Sequence, residues 1–128
     1  MSVLVGSNDG ITRQADLASL LAAAGSPRPG LKVGVVSFGN GYFHPKTVHL
    51  MRGDGSAAAY VGSANLTGAG SALNVEAGII LDTREGDDRG VLDAVSSAIE
   101  FWFAGPRPGL NLVSTLADLA ALSRACCV

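Results

Sequence analysis

The stretch spanning residues 2–38, SVLVGSNDGITRQADLASLLAAAGSPRPGLKVGVVSF, reads as strand, helix, strand. Residues 2–7 form a short run rich in valine and leucine, and Asn8-Asp9-Gly10 is a turn signal. Thr12 is placed to cap the segment that follows. There Ala15, Leu17, Ala18, Leu20, Leu21 and Ala24 lay an apolar stripe along a helix that stops at Gly25. Residues 26–30 (SPRPG) are an exit loop, and residues 31–38 (LKVGVVSF) are a second strand. The order β-α-β predicts two parallel strands joined by a crossover helix.

Working outward, Gly39-Asn40-Gly41 is a bend and residues 47–51 are a strand. Residues 52–56 carry hairpin chemistry, with Asp54-Gly55 as the tight turn, so residues 58–63 return antiparallel. Residues 66–73 are a glycine-rich loop, residues 75–82 (VEAGIILD) a further strand, and residues 83–89 a charged turn. Val91, Leu92, Val95, Ile99 and Trp102 recur at helical spacing up to Gly105, with Phe101, Trp102 and Phe103 expected in core packing. After a second PRPG at residues 106–109, Leu112, Leu116, Leu119 and Leu122 predict a short third helix capped by Ser114. The expected fold class is α/β, a mixed β-sheet flanked by helices. One domain is expected over residues 1–125, with residues 126–128 as a tail.

Composition narrows the function classes. Of 128 residues, 48% are apolar and 16% charged, which excludes a disordered polar chain. No uninterrupted apolar run reaches the ~20 residues of a membrane span. The start, MSVLVGSNDG, has no basic region followed by a long apolar one, so a cytoplasmic location is the expectation. Cys126 and Cys127 are adjacent, a placement that suits neither a structural disulfide between them nor a metal site. The formal net charge of −2 gives no global basic footprint, so any contact with nucleic acid must be local.

Residues 43–76, FHPKTVHLMRGDGSAAAYVGSANLTGAGSALNVE, hold most of the reactive side chains. His44 and Lys46, Ser63 and Asn65, and Asn74 and Glu76 are three pairs at period two, each on a strand or strand end. Members of such a pair share a sheet face, and the three pairs converge if their strands are neighbours. Two imidazoles, an amine, an amide and a carboxylate fit phosphate chemistry better than acyl chemistry. Lys46 and Asn65 can clamp non-bridging phosphate oxygens, and a deprotonated His44 can attack phosphorus. Gly62-Ser63-Ala64-Asn65-Leu66 does not match a G-x-S-x-G nucleophile elbow. His44 and His49 are five residues apart and so face opposite sides of one strand, which speaks against a metal centre. His49 is expected at the surface or the rim.

His44-Pro45-Lys46, then Gly62-Ser63-Ala64-Asn65 with Thr67, then Asn74-Val75-Glu76, resembles the single-motif, nuclease-like branch of the phospholipase D superfamily. That family's signature is H-x-K, then G-S-x-N, then a carboxylate about ten residues on. The resemblance implies a phospholipase D-like sandwich and a phosphodiesterase that needs no metal or other cofactor. His44 would be the nucleophile, forming a phosphohistidine, or the general acid in the second subunit. Lys46 and Asn65 would hold phosphate, Glu76 would orient His44, and Ser63, Thr67 and Asn74 would line or support the same pocket. Two motifs make one active site in this family and this chain has one, so the resemblance implies a homodimer with one His44 on each side of the scissile phosphate. The implied substrate is nucleic acid, DNA first, with a separately encoded helicase or effector as a further partner. Hydrolysis of phospholipid or another small phosphodiester is the first alternative. A catalytically weak nucleic-acid-binding or dimerisation domain is the second. The sequence departs from the fuller signature at Met51, where the family has an aspartate five residues after the lysine, and in a longer interval between Lys46 and Gly62.

Overall fold

The computed structural model describes residues 1–7, 12–63 and 76–125. In chain order the elements are β1 (Ser2–Gly6), α1 (Gln14–Ala24), β2 (Lys32–Val36), β3 (Lys46–Met51), β4 (Ala57–Gly62) and β5 (Gly78–Asp82). A short 3-10 turn (Thr83–Glu85), α2 (Arg89–Phe103), β6 (Leu110–Leu112) and α3 (Leu116–Arg124) follow. The six strands form one mixed sheet in the order β5-β4-β3-β1-β2-β6. β1 and β2 are parallel, as the β-α-β reading expects, and the other pairings are antiparallel. Among the described residues no helix is long and apolar enough to cross a membrane.

Alternation along β1 and β2 sorts the core into two layers. Val3, Val5, Val33 and Val35 face Leu17 and Leu21 of α1 and Leu119 and Leu122 of α3. Leu4 and Val36 face the other way, against Ile99, Trp102 and Phe103 of α2 and against Phe38 and Phe43. Farther along α2, Leu92 packs on Ala57 and Ala59 of β4. Burying each such valine, leucine or isoleucine fully contributes about 1.5–3 kcal/mol, so the parallel pair β1 and β2, covered on both faces, is the centre of stability.

The hairpin between β3 and β4 turns where Asp54-Gly55 predicts. Gly55 takes a left-handed φ of 82°, and Arg52 N–H donates to the Ser56 carbonyl at 2.8 Å. The Arg52 guanidinium grips both carboxylate oxygens of Asp82 at the end of β5 and holds that carboxyl down at about pKa 2. This fixes the far end of β3-β4-β5 and, through the hairpin, the register that sets Lys46 opposite Gly62.

Five expectations are corrected. Thr12 does not cap α1; its hydroxyl donates to the Gly6 carbonyl at 2.7 Å, and the N-cap position falls to Arg13. The leucine periodicity from Leu112 is not one helix. Leu110–Leu112 pairs with the open edge of β2, and α3 starts only at Leu116. Its cap is Thr115 rather than Ser114, because Thr115 and Asp118 complete a reciprocal capping box. Phe101 is 60% exposed, with the Arg107 guanidinium 3.8 Å from its ring centroid, while Trp102 does join the core.

His49 is the fifth. It is 6% exposed, in the middle of β3, and among the described residues its Nε2 has no hydrogen-bond partner. Burial is the first cause that lowers its pKa from 6.5, followed by the positive charges of the Met1 ammonium and Arg89. The unfolded chain therefore binds the proton more readily than the fold does. Stability is complete above the unfolded value of 6.5 and falls as pH drops below it, until the lower folded value is passed. Urea unfolding midpoints are expected to decline from pH 7 to pH 5 in the wild type, and His49→Leu to flatten that decline. An equal slope in both proteins would assign the acid sensitivity elsewhere.

Candidate active site at one end of the sheet

Register alone brings the candidate residues to one sheet end. Lys46 is the first residue of β3 and lies opposite Gly62, the last of β4, which lies opposite Gly78, the first of β5. Ser63 follows Gly62, and Glu76 precedes Gly78 by two. The carboxyl ends of the parallel strands β1 and β2 lie at this same end, where open α/β sheets place ligands.

His44 sits in the segment between β2 and β3 with its side chain exposed. The residue before it is anchored firmly. The Phe43 ring meets Trp102 edge-on at a centroid distance of 5.0 Å and Phe38 at 6.5 Å. The residue two after it is buried, since Lys46 is only 4% exposed. Lys46 Nζ donates to the His44 carbonyl oxygen at 2.8 Å, so the amine closes the chain on itself around the histidine. Burial lowers the Lys46 pKa, and the negative charge of Glu76 opposes that shift. An ammonium held in a partly desolvated place is a stronger electrostatic partner for phosphate than the same group in water.

Ser63 and Glu76 meet directly. Ser63 Oγ donates to Glu76 Oε2 at 2.7 Å, and Ser63 N–H donates to the Ala77 carbonyl at 3.0 Å. Among the described residues, the hydrogen bond of Glu76 therefore goes to Ser63 and not to the His44 imidazole of the same chain. The cluster brought together is Lys46, Ser63 and Glu76, with His44 at its margin. Asn65, Thr67 and Asn74 lie outside the described residues, as do Cys126 and Cys127.

Two neighbours escaped the reading of the sequence. The Tyr60 ring lies along the sheet over Gly62 and Gly78. A Cβ at Gly62 would stand 2.2 Å from Tyr60 Oη, and one at Gly78 2.6 Å from the ring. These two glycines let the tyrosine reach toward the Lys46 end of the strands. Ser7, directly after β1, is 3% exposed, and among the described residues its Oγ has no partner. Its place at the carboxyl end of the first strand of a β-α-β unit is the signal that identifies it. On the opposite sheet face, Phe43, Pro45, Thr47, Val61, Val91 and Trp102 line part of a groove of about 440 Å³ beside α2.

No family model matches this chain, and neither a curated protein nor a solved structure is found to resemble it.

Proposed function

We propose that the chain is a metal-independent phosphodiesterase of the phospholipase D type that cleaves nucleic acid, DNA first, at a site completed by a second copy. The observation that carries this reading is the gathering of Lys46, Ser63 and Glu76 at one sheet end, with the exposed His44 held beside them through the Lys46–His44 hydrogen bond. A neutral His44 nitrogen attacks phosphorus, the bond to the leaving oxygen breaks, and His44 of the second copy gives that oxygen a proton. Water then attacks the phosphohistidine, the same second histidine takes the proton from the water, and His44 is released. Lys46 neutralises the charge that builds on the non-bridging oxygens. Glu76, fixed by Ser63, holds the negative charge that opposes the lowering of the lysine pKa by burial.

The test is to trap the intermediate. A defined oligonucleotide is cleaved in EDTA and quenched in alkali, and the protein is expected to carry an acid-labile, base-stable adduct that maps to His44. Cleavage without any adduct would remove the covalent mechanism.

A second reading is hydrolysis of a phosphodiester with an apolar substituent. It is favoured by the groove beside α2, in which Thr47 is the polar side chain among aliphatic and aromatic ones. Faster turnover of an alkyl phosphodiester than of an oligonucleotide would select it.

A further inference from the structure

Two buried side-chain atoms among the described residues have no hydrogen-bond partner, His49 Nε2 and Ser7 Oγ. His49 lies in mid-strand under α2. Ser7 lies at the sheet end that carries the candidate site. Its N–H donates to the Val36 carbonyl at 3.1 Å, which holds the residue at the carboxyl ends of β1 and β2.

Strand alternation places Ser7 on the same sheet face as Val3 and Val5. Lys46 shares that face, because Val3 pairs with Val48 and Lys46 precedes Val48 by two. Extending that register by one residue would set Val5 opposite Lys46, so Ser7, two residues beyond Val5, falls on the Lys46 face at the same end of the sheet. The Thr12 hydroxyl bond to the Gly6 carbonyl brings the start of α1 to this end as well. Among the described residues no side chain caps the start of that 11-residue helix, whose N–H groups carry a partial positive charge that favours an anion, and Asp16 in its first turn is ion-paired with Arg13 at 3.1 Å. A buried hydroxyl left unpaired costs stability, and ligand binding is one of the uses for which such a cost is retained.

We propose that Ser7 is a phosphate-binding residue of this site, its hydroxyl donating to a non-bridging oxygen of the phosphoryl group that Lys46 neutralises. The inference rests on the phosphodiester reading of the Lys46, Ser63 and Glu76 cluster and adds to it a donor from β1. It also gives the β-α-β unit a part in the chemistry, since β1 and the start of α1 then form one wall of the anion site.

The experiment is calorimetric titration of the full chain with inorganic phosphate, in wild type, Ser7→Ala, Ser7→Cys and Lys46→Met. Ser7→Ala is expected to weaken phosphate binding about tenfold, the loss of one hydrogen bond to a charged group. Its urea midpoint is expected to stay equal or rise, because an unpaired buried hydroxyl is gone. Ser7→Cys, with a weak donor, falls between wild type and alanine, and Lys46→Met abolishes binding. Equal phosphate affinity in wild type and Ser7→Ala overturns the proposal, as does a wild type without saturable phosphate binding. Parallel assays on bis-p-nitrophenyl phosphate separate the two levels. Binding that depends on Ser7 without hydrolysis sinks the enzyme and keeps the anion site. Hydrolysis with phosphate affinity indifferent to Ser7 keeps the enzyme and sinks the residue.

Discussion

His44→Ala is expected to reduce turnover of bis-p-nitrophenyl phosphate or an oligonucleotide in EDTA by at least about 1,000-fold, which is about 4 kcal/mol of lost transition-state stabilisation at 1.36 kcal/mol per decade. The substitution is a clean test because of how the residue is built into the chain. Its side chain is exposed, and what the fold uses is its backbone carbonyl, the acceptor for Lys46 Nζ. Alanine keeps that carbonyl. The urea midpoint is therefore expected to stay within about 0.5 kcal/mol of wild type, as for other surface substitutions, while activity is lost. A variant that retains a tenth of the activity would deny His44 the role of nucleophile. A variant that loses activity and stability together would point to a disturbed Lys46 instead.

Much of the scaffold is legible in the sequence because its determinants are local. The β-α-β unit follows from the valine-rich runs and the Gly25 stop, and the register of β3 on β4 follows from the Asp54-Gly55 turn. That register brings Lys46 and Ser63 to one end of the sheet, and the pairing of Gly62 with Gly78 brings Glu76 to the same end. What the sequence does not reveal is which face is covered. Parity assigns Lys46 and His49 to opposite sides of β3, but only the packing of helices on both faces makes both residues buried. The same holds for β6. Its three residues pair with an edge of β2 that lies some 76 residues earlier, and the local leucine spacing points to a helix instead. Tyr60 is hidden for a related reason. Its reach depends on two glycines, one of them on another strand, being bare at once.

Gly6→Ala is expected to be the most damaging single substitution near the site, costing on the order of 3 kcal/mol or more, the upper range for overpacking. The added Cβ would stand 1.7 Å from the Phe43 carbonyl oxygen and 2.9 Å from its carbonyl carbon. Both are backbone atoms, and Phe43 has little freedom to yield, since its ring is held between Phe38 and Trp102. Either the end of β1 parts from the segment that crosses it, or residues 43–45 move outward and carry His44 away from Lys46. Both outcomes break the geometry of the site, so catalysis is expected to fall even at temperatures where the variant is still folded. Gly39→Ala is the control from the preceding loop, because a Cβ there meets nothing within 4 Å. It is expected to leave stability within about 0.5 kcal/mol of wild type. Thermal unfolding reads the contrast as a drop of about 10 °C for Gly6→Ala and almost none for Gly39→Ala. A Gly6→Ala protein as stable and active as wild type would show that the Phe43 segment is free to shift. His44 would then owe its position to something other than the close crossing of β1.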